Sequence, residues 1–189
     1  MSHGIVIGIA GLLVAMVIGA SGLALWLWPR SHQKALRAYS GDGTIKDLSV
    51  WTPFGYARRY VVEFDRFPLD RNFQKTYTAK GLPRIMWSPA RVDLRVSVDP
   101  EKFKAGGGHA IMAVTVVDNQ GTELVRFQSE LSKLRAQQWS DTAGAQFYEE
   151  NRATCFSPDP WREYAINIRY ICDPNVVGIG QFVIDTSGP

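Results

Sequence analysis

The 29 residues before Arg30 contain no Asp, Glu, Lys or Arg, and no other stretch of this 189-residue chain restricts its fate as strongly. The 21 basic and 18 acidic side chains all fall in the remaining 160 positions. From Gly4 to Trp28, 25 residues, Ser21 is the only conventionally polar side chain. A helix of that length reaches about 37 Å and crosses a ~30 Å hydrocarbon core with some tilt. A single segment in lipid must satisfy its own backbone hydrogen bonds, which selects the helix. Pro29 then stops it. Trp26 and Trp28 stand at that end, where indoles favour the headgroup layer. No basic n-region precedes the apolar run and it is long for a signal sequence, so a retained single-span anchor is expected.

The flanks set an expected orientation. Arg30, Lys34 and Arg37 follow the span directly. The positive-inside rule places that basic flank, and the domain behind it, on the cytoplasmic side of an inner membrane of a cell or organelle; the opposite side is the runner-up. Within the span, Gly4, Gly8, Gly11, Ala15, Gly19 and Gly22 recur at intervals of 4, 3, 4, 4 and 3. Such spacing gathers them within an arc of about 80°. Small residues let a second helix approach closely in lipid, so this face predicts packing against another transmembrane helix.

Beyond residue 43 the dominant period is two. Val92, Leu94, Val96 and Val98 alternate with Arg91, Asp93, Arg95, Ser97 and Asp99, and Tyr164, Ile166, Ile168 and Tyr170 alternate with polar or small residues. Alternation of this kind predicts strands with one face in a core and one in water. Expected strands are 44–51, 59–67, 84–87, 91–99, 110–117, 122–128, 164–170 and 180–185, and 131–138 is expected as a short helix. Asp118-Asn119-Gln120-Gly121 reads as a hairpin turn. The resulting division is an anchor at 1–29, a juxtamembrane linker at 30–43, and an antiparallel β-sandwich of seven to eight strands at 44–189. Phe64, Phe67, Leu94, Val96, Val114, Val116, Phe127, Ile166, Ile168, Phe182 and Ile184 are the expected core.

Chemistry is less legible. Cys155 and Cys172 are too few for a four-ligand zinc site and form no CxxC; a buried thiol is the expectation for Cys172, with a disulfide between the two as the alternative. His109 follows three glycines without a nucleophile signature around it and reads as a loop histidine. Asp65, Asp70, Asp99, Asp118 and Asp173 fall near strand ends but compose no calcium-loop motif. No catalytic residue, metal site or cofactor is therefore expected. The net charge of +3 is too small to indicate nucleic acid. Arg58, Arg59, Trp51, Trp87 and Trp161 are the candidate partner contacts, since arginine and tryptophan carry much interface energy. These features predict a non-catalytic accessory or assembly subunit of a larger integral membrane complex, photosynthetic or respiratory by analogy, with the bilayer and other membrane subunits as partners. The rival reading is a membrane-tethered module that binds carbohydrate or lipid.

Overall fold

A computed structural model describes residues 34, 36–52, 55–85, 89–97, 109–138 and 144–186. The predicted span at 1–29 lies outside these residues; among the described residues no helix is long and apolar enough to cross a membrane. The chain divides into two compact units, Met1–Arg37 and Ala38–Pro189, and the second is a sandwich of antiparallel sheets.

In chain order its strands are β1 (Ser40–Gly41), β2 (Thr44–Asp47), β3 (Val50–Thr52), β4 (Gly55–Ala57), β5 (Tyr60–Pro68), β6 (Phe73–Lys80) and β7 (Ala90–Val96). There follow β8 (Ile111–Asp118), β9 (Glu123–Glu130), β10 (Arg135–Gln138), β11 (Ala145–Tyr148), β12 (Cys155–Phe156), β13 (Glu163–Ile171) and β14 (Ile179–Asp185). Among the described residues they form a five-stranded sheet ordered β1-β6-β13-β8-β9 and a seven-stranded sheet ordered β10-β11-β7-β14-β5-β2 with β12 on β7. The β3–β4 hairpin stands apart from both sheets.

Alternation builds the core. Val92 and Leu94 of β7 pair with Ile184 and Phe182 of β14. Ile166 and Ile168 of β13 pair with Val116 and Val114 of β8. All eight side chains are buried. Phe127, also expected inside, is only partly buried against this cluster. Phe64 and Phe67, three apart, could not share a face of a regular strand. A bulge resolves this: the register shifts between Gln181 and Val183, opposite Arg66 and Glu63. Both rings then turn inward, Phe64 stacking on Tyr77 at 4.3 Å and Phe67 on Phe73 at 4.3 Å.

Several expected elements are corrected. The strand expected at 44–51 is broken into β2 and the start of β3. Only Ile85 makes a bridge in the described part of 84–87. The helix expected at 131–138 is a single 3₁₀ turn at Leu131–Lys133 followed by β10. The alternation of β6 escapes a sequence reading because Lys75 sits on the same side as Tyr77 and Ala79. Lys75 snorkels from that side, its ammonium over the Tyr77 ring at 4.9 Å and bonded to Asp65.

Gly81 fixes where the chain enters the sandwich. Its φ is +71°, and a Cβ there would lie 2.0 Å from the Ala38 carbonyl oxygen. Gly81→Ala is predicted to destabilise the domain by more than about 1 kcal/mol in denaturant unfolding. Because the clash falls on Ala38, it also exposes residues 38–41 to earlier proteolysis.

Candidate functional site

The sequence expectation put the outer side of β7 in water. The structure buries it instead. Asp93 is 0% exposed, and Arg91 and Arg95 are 9% exposed each, although all three point away from the core side of Val92, Leu94 and Val96. Neighbouring strands cover them with matching groups. Arg91 grips Asp93 through two bonds, Nε to Oδ1 at 2.7 Å and Nη2 to Oδ2 at 2.9 Å. The same guanidinium lies over the Tyr148 ring, 4.5 Å from its centre. Gln146 of β11 donates its amide to Asp93 and accepts from Arg95 Nε at 3.4 Å. Arg95 Nη1 donates to Glu63 Oε1 at 3.0 Å, and Lys46 Nζ to Glu63 Oε2 at 2.6 Å. One polar chain thus runs from β11 to β7 and, reaching across β14, to β5 and β2. Beside it, Arg59 is paired with the buried Asp185.

Burial pushes the Asp93 carboxyl up, against the pull of Arg91 and Gln146. Burial alone would lower the Arg91 guanidinium, but Asp93 more than offsets that and raises it. Arg95 is lowered by burial, opposed by Glu63. Ions held this way gain little net stability, because desolvation offsets their attraction. What they gain is fixed geometry. Their far end opens into a cleft of about 210 Å³ lined by Lys46, Glu63, Arg66, Arg95, Ser97 and Gln181. Gln181 is anchored by its amide to the Phe64 carbonyl at 2.9 Å, and Arg66 is exposed. The cleft presents the paired oxygens of Glu63, the Arg95 guanidinium, the Lys46 ammonium and the Gln181 amide, each bonded to a neighbour, and the exposed Arg66.

The residues singled out by sequence fall elsewhere. Gly4, Gly8, Gly11, Ala15, Gly19, Gly22, Trp26, Trp28, Arg30 and Trp87 lie outside the described residues. Lys34 and Arg37 are exposed, as is Arg58. Trp51 lies on β3, which leads through β4 to the start of β5. Trp161 is 88% exposed. The topology gathers Trp51, Arg58, Arg59 and Trp161 at one end of the sandwich, where Ser40 of β1, Lys80 of β6 and Glu163 of β13 lie side by side. The cleft, bounded by Ser97 and Ile179, opens toward the other end. Lys46, Glu63, Gln146 and Gln181 escaped the sequence reading. The one available signal was the Arg-x-Asp-x-Arg alternation of β7.

Cys155 and Cys172 are free. Cys155 pairs with the start of β7 beside Phe156, whose ring meets Tyr164 near the start of β13, whereas Cys172 follows the end of β13. A strand's length separates them, which removes the disulfide alternative; both thiols are half-buried. His109 is exposed on a turn before β8. Asp118 organises the β8–β9 hairpin, accepting the Gln120 and Thr122 amides at 2.9 and 2.8 Å and pairing with Arg162.

Two outcomes follow from these contacts. Asp93→Ala strands the buried Arg91 and is predicted to cost about 3–5 kcal/mol in urea unfolding. The double change Arg91→Met with Asp93→Leu is predicted to cost clearly less, since it removes both charges. At Asp118, burial raises the carboxyl, but the Thr122 and Gln120 amides and Arg162 outweigh it and hold it below the usual carboxylate range. The stabilisation is therefore present above about pH 3.9 and lost as pH falls through the folded value. Melting temperature measured against pH should drop on acidification below about pH 4, and drop less in Asp118→Asn.

No family model matches this sequence, and no curated protein matches it. Two solved structures resemble it in layout. One is a carbohydrate-binding module described for specific mannan recognition, 8% identical, with 81% of this chain and 91% of that one covered at a TM-score of 0.31. The other comes from work on the promiscuous specificity of carbohydrate-binding modules of the β-sandwich superfamily. It is 13% identical, with 79% of this chain and 55% of that one covered at a TM-score of 0.24. Likeness at these values carries no argument about ligand, so function is read from the site itself.

Proposed function

We propose that this protein is a membrane-tethered, non-catalytic binding module whose β-sandwich takes a hydroxyl-rich, saccharide-type ligand in the cleft on its seven-stranded sheet. The observation that carries this reading is the preorganised polar lining of that cleft. Vicinal hydroxyls both donate and accept, and they are met by Glu63 oxygens as acceptors and by Lys46 and Gln181 as donors, each held by a neighbour, with the exposed Arg66 as a further donor. Fixed partners lower the ordering cost of binding. The ionic groups are also already matched to one another, Glu63 by both Lys46 and Arg95. That favours recognition over proton transfer. Recognition here runs through hydrogen bonds rather than ring stacking, because the exposed Trp161 belongs to the other end of the domain.

A second reading, the accessory subunit of a membrane complex, draws on the small-residue face of the N-terminal segment. One preparation separates the two. The full chain is extracted in mild detergent, sized, and run by affinity electrophoresis through a panel of soluble neutral and acidic polysaccharides. The module reading expects a species retarded by at least one polysaccharide. It expects Arg66→Ala to weaken that retardation about tenfold or more without lowering the melting temperature. A stable set of co-migrating membrane partners with no retardation on any polysaccharide would sink the module and leave the subunit.

A further inference from the structure

The sandwich carries a second recess, of about 540 Å³, at the end where Ala38 leads into β1. We propose that this recess, together with Trp161, docks the phosphate headgroup of an anionic phospholipid and so seats the domain on the membrane surface. Arg84 and Arg152 flank the recess, with Ser157 beside them and Phe156 and Pro158 as an apolar wall. Both arginines are exposed, and neither joins an ion pair among the described residues. Arg152 is held at a φ of 64°. Glu149 fixes that conformation by accepting the Asn151 and Ala153 amides at 2.8 and 2.7 Å. Of the acids at this end, Asp118 and Asp159 pair with Arg162, and both carboxylate oxygens of Glu149 are taken by backbone amides. Both guanidiniums are open to solvent at the recess, and guanidinium is the side chain best shaped to bind phosphate in two-point fashion.

Trp161 supplies the lipid-specific element. It lies three residues beyond Pro158 in a braced loop: its amide donates to Asp159 Oδ1 at 3.0 Å, and the Asp159 amide donates to the Tyr164 hydroxyl at 2.6 Å. Its indole is held out in water at 88% exposure, whereas indoles favour the headgroup layer. Nine residues lie between Trp28 and Ala38, so the chain linking the predicted anchor to β1 is at most about 36 Å long. The basic flank of Arg30, Lys34 and Arg37 predicts a cytoplasmic head, beside the leaflet that carries anionic lipid.

The test uses the full chain in neutral maltoside micelles, titrated separately with dihexanoyl phosphatidylglycerol, dihexanoyl phosphatidylcholine and inorganic phosphate. Trp161 emission is isolated as the difference between the native chain and Trp161→Phe. The phosphatidylglycerol arm should give a saturable blue shift that the other two arms do not. Arg84→Gln with Arg152→Gln should weaken it about 30-fold, and Arg84→Lys with Arg152→Lys, which keeps the charge but not the fork, should fall between that variant and the native chain. Inorganic phosphate binding as tightly, with Trp161 unmoved, would overturn the lipid assignment. So would undiminished binding in the glutamine variant, or a lysine variant as weak as the glutamine one. Polysaccharide retardation depends on Arg66 and its neighbours, so the cleft stands or falls separately.

Discussion

Strand β7 is where the two requirements of this fold meet. Its inner side, Val92, Leu94 and Val96, is fully enclosed by the opposing sheet and by β14. Its outer side, Arg91, Asp93 and Arg95, is also enclosed, but by partners of matching charge. A strand buried on both faces is normally apolar on both. Here an apolar outer face is replaced by ions whose desolvation is offset by bidentate and networked hydrogen bonds. The rest of the sheet depends on this arrangement. Gln146 and Glu63 hold their positions because β7 offers them partners, and Glu63 in turn holds Lys46.

That network holds groups of the proposed recognition cleft while contributing little net stability. Buried ion pairs contribute less net energy than well-packed apolar groups of the same volume, so a purely structural outer layer would be expected to be greasy. The ionic layer leads without interruption into the open polar cleft, and the cleft side chains are therefore positioned by buried neighbours rather than by solvent. Side chains held by neighbours in this way lose less freedom when a ligand arrives.

The two ends of the sandwich differ in character. One end receives the chain at Ala38 and gathers Trp51, Arg58, Arg84, Arg152 and Trp161; the other carries Ser97 and Ile179 at the mouth of the cleft. Loops at the ends of a rigid sandwich vary without disturbing the core. In the proposed reading the domain is held at one end and binds at the other, using this freedom twice. The proposed lipid contact and the proposed saccharide contact then do not compete for the same surface.

What the sequence determined by itself was the pattern that local physics enforces. Alternation in β7 and β13 follows from the two-residue repeat of a strand and, with the apolar runs of β8 and β14, made inner residues such as Leu94, Val114, Ile166 and Ile184 readable in advance. The charge-free first 29 residues carry the expectation of a membrane span, which lies outside the described residues. Tertiary structure decided everything that depends on neighbours distant in sequence. The bulge opposite Gln181 let Phe64 and Phe67 share a face. Lys75 could sit among inward positions because Asp65 waits at the edge. Arg91 and Arg95 are written like solvated residues, and only the arrival of Gln146, Glu63 and Tyr148 from other strands buries them. A one-dimensional pattern records which side of a strand a residue faces. It cannot record what will come to lie against that side.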